Sequence, residues 1–406
     1  MATSTIPSGA ARGAPESLGE LVDRFDPSAF DAPTGRARLR LSVRDDGAFD
    51  AVYDRRRGMR LVQADLGARA DALIEADGAT WDGIAGDYAD GMAAYGAGRL
   101  TVRHNLHLAI GFLAATSGSR EEGRLRAVRV ETAVGSISTL QAGTGDPLVM
   151  LHGLGATKAS FMPTIAALAP ARRTIAIDLP GFGDSVKPLG APYHAPYFAR
   201  SVVALLDALE LDRADVMGHS MGGRVAIDMG ARHADRTDRL VLMTPSLAWK
   251  RSRRFVPWVR LARPELGLLQ PTSRRVAETL VRRLVPGAEN AWVAAAVDEF
   301  LRSYLTARGR AAFYAAARRI YLEEPDGPRG FWTRLRELSP DALFIWGRHD
   351  GIVPLSFARH VREALPAAKH VELNCGHVPQ LERPVELHRA IGRFLAGHAH
   401  TARRRA

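Results

Sequence analysis

Residues 214–222 read ADVMGHSMG, a short apolar run that leads into a glycine–histidine–serine–methionine–glycine turn. A helix-forming stretch follows it. This order predicts a nucleophile elbow, a sharp strand-to-helix turn that lifts the Ser220 hydroxyl into a cleft. Gly218 and Gly222 suit such a turn, because a side chain at either position would collide with neighbouring backbone. Small residues also surround serines by chance in a chain rich in glycine and alanine, so the prediction needs support from the rest of the sequence.

Short apolar runs alternate with helical spacing from Val128 onward. Continuous apolar runs of this length are typical of strands buried on both faces, and therefore of a parallel sheet flanked by helices. The predicted fold class is α/β, with a mostly parallel sheet. The runs are residues 147–151, 174–177, 215–217, 240–243, 342–346 and 370–373.

Three polar side chains that belong to one kind of chemistry follow these runs. Ser220 comes after the run at 215–217, Asp350 after the next-to-last run and His377 after the last run. Because the carboxyl ends of parallel strands lie at one edge of a sheet, these residues are expected to meet. A serine hydroxyl needs an imidazole to take its proton, and the imidazole needs a carboxylate to fix its tautomer. The sequence therefore predicts a catalytic triad of Ser220, Asp350 and His377.

Five short motifs stand in order along the second part of the chain. They are HGLG at 152–155, DLPGFGDS at 178–185, GHSMG at 218–222, WGRHDGIVP at 346–354 and GHVPQLERP at 376–384. With them, residues 128–398 resemble the α/β-hydrolase superfamily. The resemblance implies an α/β-hydrolase fold and an oxyanion hole formed by the backbone N–H groups of Leu154 and Met221. The spacing of His, Cys, Asp and Glu predicts no metal site, and no phosphate-binding or dinucleotide motif predicts a cofactor.

Composition limits the classes of protein to which the chain belongs. It has 406 residues, 46% of them hydrophobic and 24% charged, which is typical of a soluble globular protein of more than one domain. One cysteine, no secretory signal and no apolar stretch long enough to cross a bilayer predict a cytoplasmic location. Although the net charge is +11, no basic motif fold for nucleic acid is recognisable, so nucleic-acid binding is not expected.

The basic charge is concentrated in residues 247–335, which carry 17 basic and 8 acidic side chains. This segment interrupts the alternation of strands and helices, at the position where the superfamily carries its cap. We expect a helical cap whose aromatic residues shape an apolar pocket over Ser220. Its arginines either attract an anionic substrate or a membrane surface, with weak contact, or form a solvated helix face.

The remaining segments complete the predicted domain organisation. Residues 1–34 are expected to be a disordered or loosely ordered leader, with a short amphipathic helix near 17–25. Strand and helix patterns in 35–123 predict an α+β domain, of which residues 70–115 resemble a sterol-carrier-protein type lipid-binding domain. That resemblance implies a lipid ligand. The hydrolase core is predicted at 124–246 and 336–398, and a basic tail at 399–406.

The predicted function is hydrolysis of a carboxylic ester, lipophilic in character, through an acyl-enzyme on Ser220. The superfamily resemblance leaves alternatives with the same triad, namely carbon–carbon bond hydrolase, thioesterase and acyltransferase. Haloalkane and epoxide chemistry is disfavoured, because those relatives carry an aspartate where Ser220 stands. An alternative from another class is a lipid-binding or transfer protein with an inactive hydrolase domain.

Overall fold

The computed structural model describes most of the chain. The described residues are 13–86, 91, 94–95, 97–119, 121–248, 273, 275–276, 278–279, 291–328 and 330–396. The predicted basic tail at 399–406, the start of the predicted leader and residues 249–272 of the predicted cap lie outside them.

Two sets of elements, numbered in chain order, make up the described part of the chain. The strands are β1 (Arg36–Val43), β2 (Gly47–Asp54), β3 (Gly58–Gln63), β4 (Ala72–Ala76), β5 (Thr101–Arg103), β6 (Arg126–Thr132), β7 (Gly135–Ala142), β8 (Pro147–Leu151), β9 (Arg173–Ile177), β10 (Ala214–His219), β11 (Thr237–Met243), β12 (Asp341–Gly347) and β13 (Lys369–Leu373). The helices are α1 (Glu16–Asp23), α2 (Gly78–Gly86), α3 (Leu106–Ala115), α4 (Met162–Leu168), α5 (Ala195–Ala208), α6 (Met221–Arg232), α7 (Ala291–Tyr304), α8 (Ala307–Leu322), α9 (Phe331–Arg336), α10 (Phe357–Ala364), α11 (Pro379–Glu382) and α12 (Pro384–Ala396).

The described chain divides into two compact units. The first comprises the described residues of Met1–Arg129, Ser138–Gly143 and Pro271–Thr306. The second comprises those of Val130–Ile137, Thr144–Gln270 and Ala307–Ala406.

The first unit contains a five-stranded sheet in the order β3-β2-β1-β4-β5. Its central strand β1 pairs with β2 in a hairpin, with Asp45 at a positive φ of 67° in the turn. Helix α3 begins at an asparagine cap, since the Asn105 side chain accepts the Leu108 N–H. Nine of the ten residues of α3 are buried, which explains why this helix is apolar on every side.

Two parts of the first unit bear on the predicted organisation. Helix α1 corresponds to the short amphipathic helix predicted near 17–25, and its Leu18 and Leu21 are almost completely buried. Burial of these two leucines stabilises an ordered helix there. Helix α7, predicted as part of the cap, belongs to the first unit, because its buried Asp298 accepts a hydrogen bond from Arg103 Nε at 2.7 Å.

An eight-stranded sheet has the order β13-β12-β11-β10-β8-β9-β7-β6, and its strands from β13 to β9 belong to the second unit. The pairs from β13 to β9 are all parallel, as the continuous apolar runs predicted. From β8 the chain goes to β9 on one side and then returns to β10 on the other side. A crevice opens at such a switch point, outside the carboxyl ends of the strands. The turns after β8 and β10 therefore border the same crevice.

No helix in the described part of the chain has the length and the apolar character that crossing a membrane requires.

Candidate active site

The turn between β10 and α6 has the backbone conformation of a nucleophile elbow. Ser220 lies at φ 51° and ψ −112°, a region that costs a non-glycine residue about 1–3 kcal/mol. Three backbone hydrogen bonds hold it there, since its N–H donates to Met243 O and its carbonyl accepts the N–H groups of Arg224 and Ser246. The end of β11 and the first turn of α6 therefore hold Ser220 in this strained conformation.

The glycines of this turn are required by space. A Cβ on Gly218 would lie 2.2 Å from the carbonyl oxygen of Gly222, and a Cβ on Gly222 would lie 2.0 Å from the carbonyl oxygen of Leu151. Both distances are far inside van der Waals contact, so the end of β8 and the elbow approach each other closely only because these side chains are absent.

Three side chains from three strand ends form one hydrogen-bonded chain. His377 Nε2 lies 2.9 Å from Ser220 Oγ, and His377 Nδ1 lies 2.8 Å from Asp350 Oδ2. Because the Asp350 carboxylate only accepts, Nδ1 carries the proton and Nε2 is left to accept the serine proton. The structure therefore brings together the three residues that the sequence predicted as a triad.

The loop after β12 fixes the Asp350 carboxylate. Its Oδ1 accepts the backbone N–H groups of Ile352 and Val353, each at 2.8 Å, and the side chain is buried. Only Oδ2 remains to face His377. Two backbone donors stabilise the ionised carboxylate and prevent it from rotating.

The predicted oxyanion hole lies where β8 and β10 end. Met221 is the first residue of α6, so its N–H has no partner within the helix. Leu154 follows the histidine–glycine pair after β8, and within the described residues its N–H donates no hydrogen bond. His152 braces this turn, because its ring bonds Gly153 O at 2.7 Å through Nδ1 and accepts the Leu179 N–H through Nε2. Burial lowers the pKa of His152, which agrees with a neutral ring.

Glu382 is a residue of the site that the sequence analysis did not single out. Its carboxylate accepts the Gly376 N–H at 2.7 Å and the Val378 N–H at 2.9 Å, the two amides on either side of His377. Glu382 thus holds the loop that carries the imidazole. The signal in the sequence is a glutamate five residues after the histidine, at the end of the short helix α11.

Cys375 is the other potentially reactive side chain next to His377 in the sequence, and it is buried. Burial raises the pKa of the Cys375 thiol to about 12, so this residue stays protonated and is not a thiolate nucleophile. Across the described residues, no group of His, Cys, Asp and Glu side chains is arranged to hold a metal ion.

Comparisons with known proteins agree with this geometry. The family model described as alpha/beta hydrolase fold matches residues 146–384. The chain is 32% identical over 270 residues to the 2-hydroxymuconate semialdehyde hydrolase of Pseudomonas sp. strain CF600, covering 63% of this chain and 88% of the relative. It is 28% identical over 268 residues to a 2-hydroxy-6-oxo-2,4-heptadienoate hydrolase of Pseudomonas putida, covering 63% and 90%.

A solved structure also aligns with the second part of the chain. It is a bacterial membrane phospholipase A described as a virulence factor, with 26% identity, a TM-score of 0.53, and coverage of 67% of this chain and 86% of that one. The elbow, the hydrogen-bonded triad and the matched family model span the same part of the sequence. The chain therefore belongs to the alpha/beta hydrolase fold family.

Proposed function

We propose that this protein is a serine hydrolase that cleaves a carbon–carbon bond beside a carbonyl group. The observation that carries the hydrolytic chemistry is the hydrogen-bond chain from Asp350 through His377 to Ser220. The relatives support the choice of bond. 2-Hydroxymuconate semialdehyde contains no ester or amide, so its hydrolysis cleaves a carbon–carbon bond. This similarity favours carbon–carbon bond hydrolysis, one of the alternatives that share the triad, over hydrolysis of a carboxylic ester.

The triad supplies each step of this reaction. Ser220 Oγ attacks the carbonyl carbon while its proton passes to His377 Nε2, and the N–H groups of Leu154 and Met221 hold the oxyanion. When the bound substrate is in its 2-oxo tautomer, the carbon–carbon bond then breaks, its electron pair enters the conjugated 2-oxo-enoate system of the leaving fragment, and His377 returns the proton to that fragment. Water, deprotonated by the same imidazole, hydrolyses the acyl-serine and regenerates the hydroxyl.

A cavity in the second unit supports an anionic substrate. It has a volume of about 330 Å³ and lies between residues 188–193 and helix α8. Arg308 and Arg319 line it, and no acidic side chain is among its described lining residues. The cavity shares Tyr193 and Arg319 with a smaller one that Met221 lines. A carboxylate there would gain charge-assisted hydrogen bonds, and a dienoate carries one.

The substrate class is tested with a panel of probes. We expect kcat/KM for 2-hydroxy-6-oxo-2,4-dienoates with varied 6-substituents to exceed that for p-nitrophenyl acetate and for an acyl thioester by about a hundredfold or more. A tenfold difference in kcat/KM corresponds to only about 1.4 kcal/mol of additional transition-state binding. Replacing Arg319 by alanine is expected to raise KM for the dienoates about three- to tenfold, the size of an exposed charged hydrogen bond, with no change for p-nitrophenyl acetate. Faster turnover of p-nitrophenyl acetate than of the dienoates would contradict carbon–carbon bond hydrolysis and favour ester hydrolysis.

Asp350→Asn is expected to lower kcat about ten-thousandfold with little change in KM. The two backbone N–H groups at Ile352 and Val353 would hold the amide oxygen, so the amide NH₂ would face His377 Nδ1. That contact selects the tautomer with the proton on Nε2, which cannot accept the serine proton. Steady-state kinetics measure the effect, with the thermal unfolding midpoint as the control for folding. A loss below tenfold would contradict the orienting role of Asp350.

Ester hydrolysis is the second candidate function. The same triad cleaves an ester, and the phospholipase structure that aligns with this chain is 26% identical. The lipid-binding role of residues 35–123 and the domain boundaries stay predictions, because the family match covers only residues 146–384.

A further inference from the structure

Two side chains outside the triad converge on the backbone of the residue that carries the base. The carbonyl oxygen of His377 lies 2.8 Å from His219 Nε2 and accepts a hydrogen bond from Thr244 Oγ1 at 3.0 Å. His219 ends β10 and Thr244 follows β11, so the two neighbouring strands that border the elbow both reach the same carbonyl group.

The protonation of His219 follows from these contacts. A carbonyl oxygen only accepts, so Nε2 of His219 carries the proton and donates it. Burial next to the His377 ring lowers the pKa of His219 to about 3, so the ring is neutral while the triad works. A neutral ring beside His377 does not oppose the positive charge that His377 gains when it takes the serine proton.

His219 also packs against the turn that precedes the oxyanion hole. A Cβ on Gly153 would lie 2.9 Å from His219 Nδ1, so the ring fills the space that a side chain there would need. Nδ1 itself is buried and has no hydrogen-bond partner in the described structure. An unpartnered buried acceptor is unfavourable, and an apolar side chain at position 219 would avoid it. Histidine at position 219 therefore lowers the stability of the fold, and we infer that its role lies in the contact of its Nε2 with the His377 carbonyl group.

We propose that His219 and Thr244 are positioning residues that fix the backbone of His377, so that its Nε2 stays within reach of Ser220 Oγ. The inference rests on the proposed function, because it assumes that Ser220 is the nucleophile. Glu382 holds the two amide N–H groups beside His377, and the proposed pair holds the carbonyl group. Together they hold the peptide group between His377 and Val378 at its carbonyl oxygen and at its N–H, and the N–H of Gly376 before it.

The test compares four variants in two assays, the rate of labelling by a fluorophosphonate probe and turnover of p-nitrophenyl acetate. His219→Leu is expected to lower the labelling rate constant and kcat about ten- to hundredfold with KM within about twofold, as expected for a misplaced catalytic group. His219→Gln, whose amide N–H reaches the same carbonyl oxygen, is expected to stay within about threefold of the wild type. Thr244→Val is expected to lose about three- to tenfold in kcat, since one of the two donors remains.

His388→Leu is the matched control. His388 is a partly buried histidine whose Nε2 bonds Thr164 Oγ1 at 3.1 Å, so its replacement removes a similar contact away from the triad. It is expected to lower the unfolding midpoint and to leave kcat unchanged.

The possible outcomes distinguish a failure of the proposed function from a failure of the positioning role. Wild-type protein that resists the probe would overturn the proposed function and this inference with it. Wild-type protein that reacts through Ser220, with His219→Leu reacting equally fast, would overturn the positioning role alone. If His219→Leu does not fold, Thr244→Val and His219→Gln decide. Unchanged kcat in Thr244→Val, or a glutamine variant as slow as a folded leucine variant, would also count against the proposal.

Discussion

Ser220→Ala is expected to lower kcat by about a millionfold and to abolish labelling by a fluorophosphonate probe. Within the described site, the hydroxyl is the group of the elbow that is hydrogen-bonded to the His377 imidazole, at 2.9 Å from Nε2. Without it, His377 has no nucleophile to deprotonate, and the remaining acceleration comes from the oxyanion hole and substrate binding. The fold is expected to be unchanged, because the backbone bonds of residue 220 do not involve its side chain.

Ser201→Ala is the matched control for this variant. Ser201 lies on α5 and its hydroxyl bonds back to Tyr197 O at 3.0 Å, so its loss removes a serine hydroxyl without touching the triad. It is expected to label and to turn over substrate like the wild type. Mass spectrometry of the labelled protein checks both variants. Labelling of Ser220→Ala at the wild-type rate would refute the assignment of Ser220 as nucleophile.

The sequence predicted strands β8 to β13 as separate apolar runs, and it predicted neither β7 nor β3. All six apolar runs correspond to strands from β8 to β13. Burial is nearly continuous from β8 to β12, which explains the continuous apolar signal there, whereas the edge strand β13 is only partly buried. β7 gave no such signal, since it buries Ser138, Thr139 and Gln141 together with its apolar residues. The short strand β3 was also missed, because only one of its six residues is buried.

The triad was predictable from topology, and the residues that hold it were not. Ser220, Asp350 and His377 follow parallel strands, so the sheet alone brings them to one edge. The contacts of Glu382 and His219 with the loop of His377 depend on how that loop folds back, which no strand pattern encodes. The same holds for α7. Its position in the sequence suggests the cap, whereas its Asp298 and Glu299 accept the N–H groups of His104 and Leu106 in the first unit.

Gly222→Ala is expected to destabilise the protein by about 3–5 kcal/mol and to remove activity in whatever fraction folds. The new methyl group would lie 2.0 Å from the carbonyl oxygen and 2.5 Å from the carbonyl carbon of Leu151. Backbone cannot move aside as the tip of a side chain does, so either β8 shifts or the elbow opens. Both displace Ser220 from the turn at Leu154 that holds the oxyanion, and small displacements of reacting groups are costly.

Gly392→Ala on α12 is the matched control for Gly222→Ala, and it is expected to have the opposite effect on the free energy of unfolding. A Cβ on Gly392 would meet no atom within 4 Å, so alanine there adds only helix propensity, about 0.5–1 kcal/mol of stabilisation. Urea unfolding measures both variants. If space at the elbow is the reason for its glycine, the midpoint falls for Gly222→Ala and rises for Gly392→Ala. Gly222→Ala within about 1 kcal/mol of the wild type would mean that the strand and the elbow yield without loss, and that the strained turn is not held by this close approach.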